Sequence, residues 1–213
     1  MTVEFLPLDG LENMRLDSAL LARAELGEIG WRAYGWDGVW VSVGRFESVE
    51  RDLVDPAAIR WVRRPTGGKA VLHGHDVTVA VAVPLSVLPH ADPRSIRSAY
   101  RCVVQPLVSA LGTCGPDAAL AVDTVYAGRG TRSGDCFAYS SPNDIVDLVN
   151  GRKMCGCALR LTQAAVLLQA SIPVGEPLVQ PESVIVNAVA IRPSRIDADA
   201  FVEALRTAIR VAW

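Results

Sequence analysis

The dipeptide Asn150-Gly151 constrains the fold of this chain more than any other feature of its sequence. It lies between two extended, largely apolar segments, residues 145–149 and 152–159. Asparagine and glycine tolerate the positive φ angles of a type I′ turn, so this pattern predicts a β-hairpin. A third apolar segment, residues 164–172, follows closely and could pair with the hairpin. We therefore expect an antiparallel sheet in the second half of the chain.

Capping signals predict three helices. Asp9 precedes an apolar pattern at helical spacing over residues 11–26, and Asp92-Pro93 is a typical helix start for a segment that runs to about residue 111. Asp197 can cap a closing helix that extends to about residue 211. Helices are thus expected near both ends of the chain and in its middle.

Extended segments outnumber these helices. The dipeptide Asp37-Gly38 is a short hairpin signal that should join the first two strands, and the β-branched run at residues 77–83 is typical of a central strand. Strands are predicted at residues 31–36, 39–43, 59–64, 70–73, 77–83 and 118–125. This pattern favours an α+β fold, a single domain over residues 1–213 with a mixed, largely antiparallel β-sheet flanked by helices.

Charge and composition exclude several classes of protein. The 213 residues carry a formal net charge of −2, which argues against a general nucleic-acid-binding protein. The longest apolar run, residues 77–88, contains Pro84 and is too short to span a bilayer, and no secretory signal is visible at the start. Five cysteines without a regular spacing are typical of free thiols in a reducing compartment. We therefore expect a cytoplasmic protein that binds neither nucleic acid nor membrane.

Lys153 follows the predicted hairpin turn and is unusual in this chain. Only two of the 21 cationic residues are lysines, Lys69 and Lys153. An arginine is a planar fork that stays charged, whereas a lysine is a compact ammonium whose pKa can be tuned. A site that needs a small point charge, or an amine able to lose its proton, would require lysine here. The alternative is an ordinary solvated residue after a turn.

A glycine-containing turn follows the predicted strand at residues 59–64. The sequence from Arg63 to His73 reads RRPTGGKAVLH. A double glycine exposes backbone N–H groups and allows another molecule to approach the main chain closely. This arrangement suits a phosphate, a carbonyl or a pantetheine-like arm. The alternative is an ordinary basic hairpin turn.

Three cysteines are candidates for chemistry. Cys136 ends a glycine-containing loop with Arg129 and Arg132, and a thiol beside cationic groups becomes a nucleophile, although a lone cysteine is usually a small buried hydrophobe. On a regular strand, Lys153, Cys155 and Cys157 would point to one face, so either thiol could lie beside the lysine. Zinc is a weaker interpretation, because cysteine-x-cysteine supplies only two ligands. We expect no metal site.

These motifs together resemble one family. The run RRPTGGKAVLH, then Cys136-Phe137, then Asn143-Asp144-Ile145, then NGRK followed by Gly156 and Ala158, is similar in order to the lipoate–protein ligase and octanoyltransferase family. The resemblance covers residues 63–172. It implies a mixed β-sheet domain with flanking helices, and the transfer of an octanoyl or lipoyl group to a lysine of a lipoyl domain or of a glycine-cleavage H-type protein.

Two chemistries occur in that family. Cysteine-type octanoyltransferases take the acyl group from acyl carrier protein through a thioester and need no cofactor, whereas lipoate–protein ligases need ATP and Mg²⁺. Cys136 stands where the transferases of this kind carry their nucleophile, while Asn143-Asp144-Ile145 is more similar to the ligases. Cys157, Leu159 and Gln169-Ala170 depart from the family pattern, so a non-catalytic protein that only binds the acyl group is a further alternative.

The resemblance also implies site residues. Cys136 and Lys153 are the expected catalytic pair. The expected substrate-binding residues belong to the glycine turn and to the strand after Lys153, namely Arg64, Thr66, Gly67, Gly68, Lys69, Ala70, His73, Gly156 and Ala158.

The expected mechanism makes four physical demands. The ammonium of Lys153 should stabilise the Cys136 thiolate and later exchange protons with the incoming amine. Backbone N–H groups of Gly67, Gly68 and Gly156 should hold the developing oxyanion. An apolar tunnel should take the acyl tail. A basic rim should attract an acidic acceptor, through the residues Arg63, Arg64, Arg129 and Arg132.

Overall fold

The structure is a computed structural model that describes residues 7–88, 95–115, 117–131 and 133–213. Its helices are α1 (Gly10–Glu25), α2 (Val49–Asp52), α3 (Ile96–Thr113) and α4 (Ala198–Ala212). Its strands are β1 (Gly30–Tyr34), β2 (Trp40–Val43), β3 (Trp61–Arg63), β4 (Val71–His73), β5 (Asp76–Pro84), β6 (Ala118–Leu120), β7 (Ile145–Asp147), β8 (Lys153–Leu161) and β9 (Ala165–Pro173). This architecture confirms the predicted α+β class with its mixed, largely antiparallel sheet.

The larger sheet has six antiparallel strands in the order β1-β5-β9-β8-β7-β6. Strand β5 lies between β1 and β9 and is buried along its whole length, which confirms the prediction of a central β-branched strand. Strand β9 pairs with β8 as the sequence indicated. Strand β6 ends at Leu120, earlier than predicted, because the chain turns into a short 3₁₀ segment there.

The smaller sheet has the order β3-β2-β4, with β2 parallel to β3 and antiparallel to β4. The predicted hairpin between β1 and β2 is therefore wrong, because β1 pairs with β5 in the larger sheet. The turn at Asp37-Gly38, where Gly38 has a φ of +85°, carries the chain from one sheet to the other. Trp36 and Trp40 flank this turn and are buried in the core.

The helices cover the two faces of the larger sheet. The side chain of Asp9 caps α1 and that of Asp197 caps α4, as predicted. Ser95 caps α3, while the predicted start at Asp92-Pro93 lies outside the described residues. Helix α1 packs over β5 and β9, and α3 and α4 pack together over an apolar core that includes the opposite side of β5 and β9. No helix in the described ranges is long and apolar enough to cross a membrane.

The predicted hairpin at Asn150-Gly151 is present as β7 and β8. The predicted type I′ turn is wrong, because only Gly151 of this pair has a positive φ, of +72°. Asp147 builds a longer loop instead, as its side chain accepts hydrogen bonds from Val149 N at 2.8 Å and Asn150 Nδ2 at 2.9 Å. The hairpin carries Lys153 at the start of β8.

The pairing of β7 with β8 contains a one-residue irregularity. Val146 lies opposite Lys153, whereas Ile145 lies opposite Cys155, so two steps along β8 match one step along β7. Met154 is the additional residue, as in a β-bulge. Such a bulge changes which side chains share a face of the strand, and this determines the composition of the site described next.

Candidate active site

Cys136 is held in place by backbone hydrogen bonds to the chain just before β4. Its N–H donates to Ala70 O at 2.9 Å, and Ala70 N–H donates to Gly134 O at 2.8 Å. Asp135 caps the single 3₁₀ turn that begins at Cys136, because its side chain accepts from Phe137 N at 2.9 Å and Val189 N at 3.1 Å. The half-buried thiol therefore sits on a firmly anchored turn at the edge of a cavity.

The ammonium of Lys153 is the closest charged group to this thiol. Lys153 Nζ lies 3.3 Å from Cys136 Sγ, 2.5 Å from Cys136 O and 3.2 Å from Tyr139 O. It also forms an ion pair with Asp144 Oδ2 at 2.8 Å. Lys153 is buried, so the alternative of a solvated residue after a turn is wrong.

Gly156 faces this pair and leaves room for it. A Cβ atom added at Gly156 would lie 2.9 Å from Cys136 Sγ and 3.4 Å from Lys153 Cε. In a regular strand Lys153 and Gly156, three residues apart, would point to opposite faces. The extra residue at Met154 brings both to the side of Cys136.

The same bulge makes the predicted common face of Lys153, Cys155 and Cys157 wrong. The two thiols contact each other, with their Sγ atoms 3.6 Å apart, and both belong to the apolar core cluster that includes α3 and α4. The hydrogen bond with Cys155, together with burial, raises the pKa of the Cys157 thiol well above its ordinary value. Cys155 is thus a core residue, whereas Cys157 belongs to the core and also lines the cavity described below.

The pKa values of the thiol and of the amine are both raised at this site. Burial raises the pKa of the Cys136 thiol above its ordinary value; Lys153 and Arg64 lower that pKa, and Asp144 raises it further. Burial lowers the pKa of Lys153, but interaction with Cys136 and Asp144 outweighs this and raises it well above the ordinary value. These directions favour a protonated thiol beside a charged ammonium, while the thiolate and the proton exchange expected from the sequence stay predictions. Burial is the largest cause of the shift at the thiol, and Asp144 adds to it.

A narrow cavity extends inward from Cys136. Gly68, Ala158 and Gly156 form part of its wall near the thiol. The residues that line it are Met14, Tyr34, Trp36, Ser42, Arg64, Gly68, Val71, His73, Thr78, Cys136, Gly156, Cys157, Ala158, Gln169, Ala170 and Ser171. The surface that these residues expose to the cavity is largely apolar, as a site for an acyl tail requires.

The glycine turn is supported from within by Arg64. The guanidinium donates to Gly67 O at 2.7 Å, Lys69 O at 2.6 Å and Ser42 O at 2.9 Å, and the residue is buried. Arg64 therefore holds the turn and lines the cavity but cannot belong to an exposed basic rim. That part of the predicted rim is wrong.

Other residues of the turn are also engaged within the protein. Thr66 Oγ1 donates to Gln169 Oε1 at 2.6 Å, and Lys69 Nζ pairs with Glu47 at 2.9 Å. The N–H of Gly67 points to Leu159 O at 3.4 Å, so one of the three expected oxyanion donors already has a partner. These contacts tie the turn to β9, to β8 and to the segment before α2.

The remaining described residues of the predicted rim, Arg63 and Arg129, contact different parts of the protein. Arg63 donates to the backbone oxygens of Gly44 and Glu47, both at 2.9 Å. Arg129 is exposed and lies over the ring of Tyr126, 4.6 Å from its centroid. Arg132 lies outside the described residues.

His73 belongs to a buried polar cluster in the cavity wall. Its Nε2 lies 2.7 Å from Ser42 Oγ and its Nδ1 lies 2.8 Å from Asp76 Oδ2, while its ring stacks on Trp36. Burial raises the pKa of Asp76, but His73 and His75 together with the hydrogen bonds to the carboxylate outweigh it and hold that pKa at about 2. Ser42 and Asp76 carried no recognisable signal in the sequence apart from their positions at the ends of strands.

A second buried polar cluster joins α1 to the cavity. Asp17 accepts from Gln169 Nε2 at 2.6 Å, Tyr34 OH at 2.7 Å and Arg32 Nη1 at 2.8 Å. Burial raises the pKa of Asp17 above its ordinary value, although all three partners lower it. Asp17 lies on the buried face of α1 with Met14 and Leu21, and an acid at such a position is the signal that sequence reasoning missed.

Metal ligands do not assemble in the part of the chain that the structure describes. No group of three or more histidine, cysteine, aspartate or glutamate side chains there could hold a metal ion.

Comparison with known proteins identifies the catalytic domain that this chain resembles. A family model described as the lipoyl protein ligase A/B catalytic domain matches residues 9–206. The octanoyltransferase LipM of Anoxybacillus flavithermus is 36% identical over 170 residues, which are 75% of this chain and 60% of that protein. The octanoyltransferase LipM of Staphylococcus aureus is 33% identical over 175 residues, which are 77% of this chain and 62% of that protein. The chain thus spans about three fifths of the length of these relatives.

Solved structures share the fold. A bipartite lipoate protein ligase from Thermoplasma acidophilum, described with its E2 lipoyl domain, aligns with a TM-score of 0.71 at 21% identity, covering 98% of this chain and 81% of that chain. A lipoate-protein ligase A bound with ATP aligns with a TM-score of 0.72 at 21% identity, covering 100% of this chain and 85% of that chain. At this level of identity the similarity concerns the fold.

Proposed function

This chain belongs to the lipoyl protein ligase A/B catalytic domain family, and on that premise we propose that it is an octanoyltransferase. It takes an octanoyl group from acyl carrier protein, holds it as a thioester on Cys136, and passes it to a lysine of a lipoyl domain or of a glycine-cleavage H-type protein. Relatives that carry the name octanoyltransferase, at 33–36% identity, support this reaction.

The observation that carries the proposal is the contact between Lys153 Nζ and Cys136 Sγ, at 3.3 Å, beside a cavity that begins at the same sulfur. A thiol placed at the opening of a largely apolar cavity can accept an acyl group whose tail then enters that cavity. An ammonium at this distance stabilises the thiolate, each pKa unit of stabilisation corresponding to about 1.4 kcal/mol.

In the first step the sulfur of Cys136 attacks the carbonyl carbon of octanoyl–acyl carrier protein. The thiol loses its proton as the new C–S bond forms, and the bond to the carrier's sulfur breaks, so that the carrier leaves as a thiol. Lys153 remains protonated and stabilises the developing negative charge. The N–H groups of Gly68 and Gly156 are the proposed additional donors to the carbonyl oxygen.

In the second step the neutral amine of the acceptor lysine attacks the Cys136 thioester. The C–N bond forms, the C–S bond breaks, and the sulfur leaves as a thiolate beside Lys153. The amine's surplus proton then returns to the sulfur. Lys153 therefore acts as a fixed cation in both steps, since its interactions with Cys136 and Asp144 favour the charged form.

Binding of the acyl tail supplies affinity. Seven carbons buried at roughly 0.8 kcal/mol each contribute about 5–6 kcal/mol. Met14, Trp36 and Val71 are apolar members of the cavity wall that such a tail would contact. In this proposal the cavity and its opening are shaped by the glycine turn (residues 64–70), by His73 and by Ala158.

Two other functions remain to be separated by experiment. A lipoate–protein ligase would require ATP and Mg²⁺ and would not use the Cys136 thiol; the fold shared with ATP-bound lipoate-protein ligase A is the observation in its favour. A non-catalytic acyl-binding protein would acquire an octanoyl adduct and keep it. The departures at Leu159 and Gln169 motivate that alternative.

Reconstitution with octanoyl–acyl carrier protein and an apo lipoyl domain tests the proposal. The wild type should form an octanoyl adduct on Cys136 by intact mass and peptide mapping, and should modify the lipoyl domain without ATP. Cys136→Ser should lose both, whereas Cys114→Ser, on a half-buried thiol at the end of α3, serves as the matched control and should retain both.

The outcomes separate the alternatives. A stable Cys136 adduct that never passes to the lipoyl domain would identify the acyl-binding protein. Full activity of Cys136→Ser with lipoate, ATP and Mg²⁺ would identify the ligase. An adduct on Cys157 would move the nucleophile to β8 and contradict the assignment made here.

A further inference from the structure

A chain of hydrogen bonds runs from the hydroxyl of Ser42 through the imidazole of His73 to the carboxylate of Asp76. Ser42 Oγ lies 2.7 Å from His73 Nε2, and His73 Nδ1 lies 2.8 Å from Asp76 Oδ2. The three side chains come from β2, β4 and β5, and all three residues are at least nine-tenths buried. This is the order of groups that activates a serine hydroxyl in hydrolases of unrelated folds.

The hydrogen bonds around Asp76 determine the tautomer of His73. Asp76 is ionised at neutral pH, and its Oδ2 also accepts from Thr78 Oγ1 at 2.9 Å and Ser171 Oγ at 2.7 Å. A carboxylate can only accept, so His73 Nδ1 must carry the proton that lies between them. In the neutral imidazole, Nε2 is then an acceptor that faces Ser42.

Arg64 determines the direction of the Ser42 hydroxyl. Arg64 Nη1 lies 3.2 Å from Ser42 Oγ and can only donate to it. Since that contact occupies a lone pair of the oxygen, the hydroxyl hydrogen is free to point at His73 Nε2. The serine proton is thus aligned with a base, and a permanent cation lies beside the oxygen.

Ser42 and His73 both line the cavity that begins at Cys136. We propose that Ser42 is a second acyl acceptor, which attacks activated carboxylic esters that enter this cavity and gives the chain a weak esterase activity. This activity is independent of Cys136, so it extends beyond the transfer reaction proposed above. The substrate class is an ester of a short- or medium-chain fatty acid with a good leaving group.

The reaction balances with water as the second substrate. Ser42 Oγ attacks the carbonyl carbon while its proton moves to His73 Nε2, and Asp76 stabilises the resulting imidazolium. The bond to the leaving alcohol breaks, and that alcohol takes the proton from His73. Water then attacks the acyl-Ser42 ester with His73 as base, which releases the fatty acid and restores the hydroxyl. The charge of Arg64 stabilises the oxyanion in both steps.

The test uses the full chain carrying Cys136→Ala, so that no thioester can form at the proposed transfer site. Incubation with p-nitrophenyl octanoate should give a burst of p-nitrophenol close to one equivalent, and peptide mapping should place an octanoyl ester on Ser42. The adduct should resist neutral hydroxylamine, which cleaves a thioester on any other cysteine. Adding Ser42→Ala should abolish burst and adduct.

Two further variants, made in the same Cys136→Ala protein, test the hydrogen-bonded chain of Ser42, His73 and Asp76. His73→Gln should slow acylation by about 100-fold or more. Ser183→Ala is the matched control, because it removes an exposed hydroxyl that donates to Gln180 O and does not line the cavity; acylation should stay at the rate of the Cys136→Ala protein. Should His73→Gln fail to fold by circular dichroism, Asp76→Asn tests the same hydrogen-bonded chain.

The proposal is overturned if no adduct forms on Ser42, or if the adduct forms equally fast without the imidazole or its carboxylate. These outcomes do not depend on octanoyl transfer. Transfer is measured separately, on the wild-type protein with the carrier protein and the lipoyl domain. Loss of transfer with retained Ser42 acylation, or the reverse, identifies which of the two proposals fails.

Discussion

Lys153 Nζ and Asp144 Oδ2 lie 2.8 Å apart, and only 5% and 2% of their side chains are exposed. Asp144 raises the pKa of Cys136 as well as that of Lys153. The substitution Asp144→Asn should therefore lower the pKa of Cys136 and speed its alkylation by iodoacetamide several-fold at neutral pH. Octanoyl transfer should nevertheless fall, because Lys153 loses the partner that keeps it charged and in place.

Stability should also fall in Asp144→Asn. Removal of one partner of a buried ion pair costs about 3 kcal/mol in the free energy of unfolding, which urea denaturation can measure. Asp123→Asn, at an exposed carboxylate paired with Arg101, is the matched control and should change neither alkylation nor stability appreciably. Slower alkylation in Asp144→Asn would contradict the charge arrangement described here.

Gly156→Ala should inactivate the transferase while leaving the sheet intact. The new Cβ would lie 2.9 Å from Cys136 Sγ, so the thiol or the lysine must move, and displacement of a reacting group by about 1 Å costs roughly 100-fold in rate. Transfer rate and circular dichroism measure the two effects. Gly112→Ala, in α3 with nothing within 4 Å of the added atom, should keep the activity of the wild type. Normal transfer by Gly156→Ala would argue against Cys136 as the nucleophile.

Lys153→Arg should lose most transfer activity although the charge is kept. The ammonium lies within 3.3 Å of Cys136 Sγ, two backbone oxygens and a carboxylate, and a planar guanidinium is too large for that space. Overpacking should also lower the free energy of unfolding by about 1–3 kcal/mol. The same substitution at Lys69, whose side chain is 44% exposed, serves as the stability control and should leave the melting temperature unchanged. A Lys153→Arg protein with both wild-type rate and wild-type stability would refute this account.

Asp76 should make stability depend on acid pH. Burial raises the pKa of Asp76, but its partners, His73 first, hold it at about 2 in the fold against an ordinary 3.8. A carboxyl group with a lowered pKa stabilises the fold at pH values above its ordinary pKa. This stabilisation is lost as the pH falls through the pKa of the folded state. Asp76→Asn should therefore lower the free energy of unfolding by about 2 kcal/mol at pH 7, with the difference halved by about pH 3.

Urea denaturation at a series of pH values measures that difference. Asp199→Asn, an exposed residue in the first turn of α4, is the control, with an expected effect below about 1 kcal/mol. A difference between wild type and Asp76→Asn that stays constant from pH 7 to about pH 3 would mean that Asp76 is not the ionised partner of His73.

Arg129 and Arg63 are the exposed described residues of the predicted rim, and we choose Arg129 because the Arg63 guanidinium holds the backbone of Gly44 and Glu47. Arg129→Glu should slow modification of the lipoyl domain at low ionic strength, and the difference should disappear in high salt, where surface charges are screened. Arg210→Glu, on the exposed side of α4, is the matched control and should behave as the wild type. A slowing that salt does not remove would indicate a structural effect of Arg129 instead.

The sequence predicted those parts of the fold that depend on local patterns. The hairpin of β7 and β8, the pairing of β9 and the caps at Asp9 and Asp197 all follow from neighbouring residues. The hairpin of β1 and β2 was wrong because the choice of partner strand depends on distant burial: β1 covers the edge of β5, which no dipeptide reveals. The turn type at Asn150 was wrong because Asp147 offers its carboxylate to two donors in a longer loop.

Within the candidate site, the sequence indicated which residues meet but not how their pKa values are shifted. A lone lysine beside a hairpin and a cysteine after a glycine loop could be recognised, and the structure brings them to 3.3 Å. The direction of their pKa shifts could not be read, because desolvation and the pairing with Asp144 appear only when the chain is folded. Ser42 and Asp76 escaped notice for the same reason, since they meet His73 only across three strands.

The extra residue at Met154 gives this hairpin a strict limit on insertions and deletions. Removing Met154 would restore a regular ladder between β7 and β8, yet it would turn Lys153 away from Cys136 and leave Gly156 facing the thiol alone. A strand transplanted from a regular sheet would fail in the same way, even if every side chain around the thiol were copied. Alignments of related chains should therefore count the residues between this lysine and this glycine before matching either one.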